Sequence, residues 1–168
     1  AIAYADRSDY GSALDDLNKA IELDPRSANL YQERAGVHAM KRDYTLAIQD
    51  CDKALEINPK DPDAYHSRAT VYLFQGQYDL ALPDHDRAIE TSPTYGRLYV
   101  YKAWTCERAG RTTEAIAAYK MFIRHARPRP VDLDPGLPGP DDILLEQAKS
   151  RLAKLERGSK IGAPAGER

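Results

Sequence analysis

The feature that most limits what this chain can fold into is a repeat of 34 residues. Tyr31 recurs as Tyr65, Arg34 as Arg68, Ala35 as Ala69, Tyr44 as Tyr78, Ala47 as Ala81, Asp50 as Asp84, Ala54 as Ala88 and Pro59 as Pro93. One interval earlier stand Tyr10, Ala13, Asp16, Ala20 and Pro25, and one interval later Tyr99, Ala103, Ala115 and a late Pro128. A fixed period of this size means one supersecondary unit, unable to bury its own apolar face, stacked several times.

Each unit reads as two helices. In 28–41, Tyr31, Ala35, His38 and Ala39 fall at helical spacing, and in 44–57 so do Tyr44, Ala47, Ile48, Cys51, Ala54, Leu55 and Ile57. The joint Lys41-Arg42-Asp43 becomes Gln75-Gly76-Gln77 in the next copy, and Gly76 suits a left-handed helix end. Prolines separate the units, and Asp61-Pro62 has the form of an N-cap followed by a first-turn proline. Ala35 and Ala47 lie about equally far from the turn, so an antiparallel pair brings them to the same level, where small residues permit close approach of the axes.

The pattern Tyr…Ala…(His or Tyr)…Tyr…Ala…Ala…Pro at this period resembles the tetratricopeptide repeat, over about residues 1–128. Two departures stand out: Tyr31, Tyr65 and Tyr99 occupy the place of the signature Trp, and Arg34, Arg68 and Lys102 a place that is usually Leu. The resemblance implies an all-α fold, a right-handed superhelical solenoid of stacked antiparallel helix pairs whose first helices line a concave groove. It implies binding, not catalysis.

Net charge is −2 with 30% charged residues of both signs, which is not the clustered basic footprint of a nucleic-acid binder. No apolar stretch is long enough to span a membrane. Cys51 and Cys106, at non-motif spacing, fit neither a disulfide framework nor a zinc site and are expected to be inert core thiols. No phosphate-binding glycine loop, zinc-helix motif or nucleophile elbow occurs. His38, His66, His85 and His125 form no ligand set, and Asp15-Asp16 and Asp141-Asp142 read as solvated or helix-start charges. No cofactor, metal site or catalytic residue is therefore expected.

Taken in order, the chain predicts helices near 1–7, 10–23, 28–41, 44–57, 62–75, 78–91, 95–109 and 112–126, and a ninth near 141–157. Residues 1–126 form the repeat array: an incomplete repeat over 1–25, repeats at 28–59 and 62–93, and a degenerate one at 94–126. Ala1 falls in register with Ala35, which predicts a fragment or processed product of a longer repeat protein, with an open N-terminal end. Pro83 is expected to kink the helix it interrupts. Residues 127–140, with five prolines, predict a linker or surface strap; 141–157, striped by Leu144, Ala148, Leu152 and Leu155, a C-terminal capping helix; and 158–168 a disordered tail.

Mapped by the resemblance, the groove-facing positions are Asn29, Gln32, Gly36, Ala39 and Met40, then Asp63, His66, Thr70, Leu73 and Phe74, then Arg97, Val100, Trp104, Glu107 and Arg108. The Lys/Asn/Arg clamp of chaperone-tail binders is absent from them. Trp104, whose counterparts are Gly36 and Thr70, is the expected anchor, with Phe74, Leu73, Val100 and Met40 adding apolar surface and His66, Arg97, Glu107 and Arg108 a polar rim. The bland alternative folds the strap over Trp104. Two functions fit: a scaffold or adaptor module that binds a protein or peptide, or a structural module, either self-assembling through its open end as a homo-oligomer or serving as a regulatory region beside an unseen catalytic domain. Neither calls for nucleic acid or membrane insertion. Asp16, Asp50 and Asp84 on second helices, and Arg34, Arg68 and Lys102 on first helices, are expected to alternate as an ion-pair ladder, each Arg bridging two carboxylates.

Overall fold

The computed structural model describes residues 9–126 and 140–161. Eight helices and no strand occur among them: α1 (Asp9–Leu23), α2 (Ala28–Met40), α3 (Tyr44–Ile57), α4 (Pro62–Phe74), α5 (Tyr78–Thr91), α6 (Gly96–Arg108), α7 (Thr112–His125) and α8 (Pro140–Ile161). Two compact units divide the chain, residues 1–91 and 92–168. The helix expected at 1–7 and the strap at 127–140, apart from Pro140, which opens α8, lie outside the described residues. The α8 helix runs four residues past the expected 157, so 158–161 belong to it and not to the tail.

In the first unit α2 packs on α3 and α4 on α5, α1 packs on α2, and α3 and α2 both pack on α4. First helices of consecutive repeats therefore adjoin. Short turns enforce antiparallel pairs, and the turn chemistry is the same in each copy. In the α2–α3 turn the Asp43 amide donates to the His38 carbonyl and the Arg42 amide to that of Ala39; Gln77 to Tyr72 with Gly76 to Leu73, and Arg111 to Cys106 with Gly110 to Glu107, repeat the motif. This double closure places the residue after the helix cap in the left-handed region. Gly76 and Gly110 sit there at φ 73°, whereas the first copy has Arg42 at φ 66°, where a Cβ is unfavourable. At the start of α4 the Asp61 carboxylate accepts from the Asp63 and Ala64 amides, with Pro62 in the first turn, as its sequence predicts. The α5 helix passes through Pro83 without a break.

Packing follows the small residues. Ala35, Ala47, Ala54, Ala64, Ala69, Ala81 and Ala88 are all buried, and Tyr31, Ala54, Leu55 and Ala64 form one core cluster against Ile21, Ala28, Ile57 and Tyr65. The signature tyrosines are tied to the repeat junctions. Their hydroxyls donate to the carbonyls of Pro25 (from Tyr31, 3.3 Å), Pro59 (from Tyr65, 3.2 Å) and Pro93 (from Tyr99, 3.0 Å). Each lies six residues before its tyrosine, so Tyr fastens the incoming chain to the first turn of its own helix.

In the second unit α6 packs on α7, and α7 on α8. Tyr119 and Phe122 fill the interior where other repeats have smaller groups. Tyr99 stacks on His125 at 5.3 Å, and Gly96 lies where a side chain would meet the His125 backbone at 3.5 Å. The α8 helix buries Ala148 and is joined to α7 by Lys120–Glu156 (2.8 Å) and to α6 by Arg151–Glu107.

Candidate functional site

The ion-pair ladder exists within the first unit, but with different rungs from those the repeat register suggests. Arg34 grips Asp50 with both ends of its fork (Nε to Oδ2 2.9 Å, Nη2 to Oδ1 2.6 Å), and its third nitrogen donates to Asn18 at 2.7 Å. Arg68 grips Asp84 likewise (both 2.7 Å) and reaches Asp52 with Nη1. The second partners are therefore Asn18 and Asp52, two residues beyond the expected Asp16 and Asp50. A helix turns about 200° over two residues, so α3 presents Asp50 to its own pair and Asp52 to the next first helix. In the last repeat Ala118 stands where the fork acceptor would be. The guanidinium groups also lie over the Tyr31 and Tyr65 rings at 5.6 and 5.8 Å. The two departures from the usual repeat pattern, Tyr for Trp and Arg for Leu, thus act together. The hydrogen bonds to Asp50 and Asp84 hold both guanidinium pKa values above their ordinary range.

Beside this charged seam lies a cleft of ≈ 180 Å³ lined by Ala35, Gly36 and Ala39 of α2, Cys51 of α3, and His66, Ser67, Thr70 and Val71 of α4. Four of the mapped groove positions, Gly36, Ala39, His66 and Thr70, are brought together here. Gly36 sits inside α2 without a left-handed backbone, and a methyl group on it would meet no atom within 4 Å among the described residues. Thr70 is partly buried and donates from Oγ1 to the His66 carbonyl at 2.8 Å, which leaves its methyl group for the cleft wall. Burial lowers the His66 pKa, partly offset by the Asp63 carboxylate, so the imidazole is neutral at neutral pH. Burial also pushes the Cys51 thiol up to about 12, which makes it a wall and not a nucleophile.

The other mapped positions divide. Met40 (68% exposed) and Phe74 (61%) are repeat equivalents at the ends of α2 and α4, and both offer apolar surface. Asn29 and Asp63, also equivalents, are exposed near the starts of those helices. Gln32 is partly buried and donates to Asp61 at 2.6 Å, the same carboxylate that caps α4. Leu73 (9% exposed) and Val100 (0%) are core residues and add no surface to a groove, a correction to their sequence-based placement. In the second unit Arg97 and Trp104 are partly buried, Arg108 is exposed, and the Trp104 ring stands edge-on to Tyr101 at 5.3 Å. Glu107 accepts from Tyr119 (2.9 Å) and pairs with Arg151 of α8, so it holds the terminal helix and is not a free rim residue. Burial, then that bond to Glu107, raises the Tyr119 pKa. Nothing in the sequence period signals the Glu107–Arg151 pair, because α8 stands outside the repeat.

Among the described residues no group of three or more His, Cys, Asp and Glu is placed to hold a metal ion, and no helix is long and apolar enough to cross a membrane.

Two tetratricopeptide-repeat models match the chain, one over residues 1–62 and the other over 51–82. No curated protein sequence matches it. Among solved structures it is similar to MamA (16% identity, 90% of this chain and 85% of that one, TM-score 0.64). It is also similar to SycD, a type III secretion translocator chaperone of Yersinia enterocolitica (14%, 79% and 85%, TM-score 0.66). A third is the first repeat domain of Spaghetti (RPAP3), solved with the HSP90 peptide SRMEEVD (18%, 79% and 93%, TM-score 0.62). At these identities the likeness is one of fold. With the 34-residue period, the paired helices and the two matching models, the chain carries tetratricopeptide repeats over residues 1–82.

Proposed function

We propose that the chain is a non-catalytic interaction module that binds a peptide or protein segment along the cleft between its first helices, as part of a scaffold or adaptor. The observation that carries this is Gly36. Glycine inside a helix costs roughly 0.5–1 kcal/mol relative to alanine. Here neither a turn nor a close contact requires it. What its missing side chain leaves is space in a cleft that small side chains also line on the α4 side. Exposed Met40 and Phe74 extend the same strip with apolar surface of the kind that partners cover. The SycD and RPAP3 neighbours, a chaperone and a peptide complex, are compatible with this use of the fold.

The test is selection of peptides from a random display library on the full chain, followed by binding to Gly36→Ala and Gly36→Trp variants. Enriched peptides are expected to bind the alanine variant more weakly than the parent and to lose about tenfold or more on the tryptophan variant, which fills the cleft. Enrichment only of peptides indifferent to Gly36→Trp would overturn the reading. Trp104 stays in the proposal as a second anchor within its own unit, tested by Trp104→Ala in the same assay.

A further inference from the structure

The two units carry opposite charge. Residues 1–91 hold 17 Asp and Glu against 10 Lys and Arg, a net of −7, whereas 92–168 hold 9 against 14, a net of +5. In the acidic unit, Arg34 and Arg68 are already engaged by Asp50, Asp84 and Asp52. None of the residues lining the cleft is a Lys or Arg. At one end of the strip the exposed Asp63 carboxylate stands one turn before His66 and acts on it electrostatically, and at the other end lie Met40 and Phe74.

An acidic ligand finds no cation in such a cleft and meets the repulsion of the unit around it. An apolar side chain with cationic neighbours finds the reverse, and a field of this sign speeds its encounter. We propose that the cleft of the first unit takes a basic amphipathic segment of a partner protein, with an aliphatic or aromatic side chain seated over Gly36 and Thr70, further apolar contact on Met40 and Phe74, and a Lys or Arg beside Asp63. This rests on the groove reading above and adds the chemistry of the occupant.

The experiment measures fluorescence anisotropy of labelled peptides on the full chain. The probes are a Leu/Lys peptide, a Leu/Glu peptide of the same spacing, and SRMEEVD. The Leu/Lys peptide is expected to bind, to weaken steeply as salt rises from ~50 to ~300 mM, and to lose about tenfold on Gly36→Trp and about fivefold on Asp63→Lys. The two acidic peptides are expected not to bind. Circular dichroism confirms that each variant keeps its helices, and Thr70→Trp fills the cleft from the other wall should Gly36→Trp unfold.

Tighter binding of either acidic peptide, lost on Gly36→Trp, would overturn the charge inference and leave the groove reading standing. Leu/Lys binding untouched by both tryptophan variants would overturn the inference and count against the cleft itself. Failure of every probe to bind overturns the inference, and the library selection then decides the groove reading separately. Self-association dispersed by Gly36→Trp and by the Leu/Lys peptide would make a second copy the occupant, and would overturn the assignment to a partner.

Discussion

Replacing Arg68 by Met tests how strongly the charged seam holds α4 and α5 together. The Asp84 side chain is only 8% exposed and receives both ends of the Arg68 fork at 2.7 Å. Arg68→Met strands that carboxylate beside a thioether. Breaking a fully buried ion pair costs about 3–5 kcal/mol. The Arg68 side chain is 22% exposed, so water replaces part of what is lost, and about 2–3 kcal/mol is the fitting expectation. For a chain of this size that lowers the melting temperature by roughly 4–12 °C. Urea unfolding followed by circular dichroism, over the Arg68→Met, Asp84→Leu and double variants, isolates the pair. The coupling energy should reach about 1.5–2.5 kcal/mol, and the double variant should recover part of the loss, because two apolar side chains leave no buried charge unpaired. Lys53→Gln is the control, since the Lys53–Glu56 pair is solvent-exposed and its loss should leave stability nearly unchanged. An Arg68→Met cost no larger than the control, or a coupling near zero, would refute the idea that this pair holds the two helices of its repeat together.

Arg42→Gly should raise stability by about 0.5–1 kcal/mol in the same urea assay, since it relieves a left-handed residue at φ 66° where the later copies already have glycine. Cys51 and Cys106 are both buried, and Cys51 is held protonated, so a chromogenic disulfide reagent should find no fast thiol in the native protein and two in denaturant. The lowered His66 pKa makes the folded state favour neutral imidazole, so its contribution is present above the unfolded value of about 6.5 and is lost as pH falls through the folded one. His66→Gln should flatten that part of the stability profile below about pH 6.5, and an unchanged slope would assign the pH dependence elsewhere. Gly36→Ala should stabilise by about 0.5–1 kcal/mol, read from the urea midpoint at constant slope.

Helix positions were legible in the sequence because one period encodes them repeatedly. Tyr, Ala and Pro recur at fixed intervals, and α2 to α7 begin and end within about one residue of the spans they define. The terminal helix, which occurs once, was legible as a stripe but not in its length. Its extension to Ile161 passes Gly158, a residue that composition alone reads as a stop. The ladder was half legible. Register reasoning paired Arg34 with Asp50 and Arg68 with Asp84, but asked Asp50 to serve Arg68 as well. One short side chain cannot face both neighbours of its helix, and the chain solves this with a second acceptor two residues on, Asn18 in α1 and Asp52 in α3.

The groove was legible where it depends on the period and illegible where it depends on contacts outside it. Gly36 and Thr70 are equivalents and do line one cleft, because first helices of adjoining repeats face each other at the same height. Leu73 follows Thr70 by about one helical turn, yet it is only 9% exposed, so the repeat register overstated the groove's apolar wall. Glu107 was assigned to a rim by the same counting, but Tyr119 and Arg151 reach it from two other helices. What remains at the surface of the first unit is narrower and more polarised: small residues at the centre, Met40 and Phe74 at one end, Asn29 and Asp63 at the other. The seam beside it uses up the first-helix cations Arg34 and Arg68, which grip Asp50 and Asp84 within their own repeats and reach the preceding ones through Asn18 and Asp52. With those cations engaged, the charge presented at the cleft is that of Asp63 and of the acidic unit around it. For that reason, neutralising the seam acids should change the cleft's preference as well as its stability.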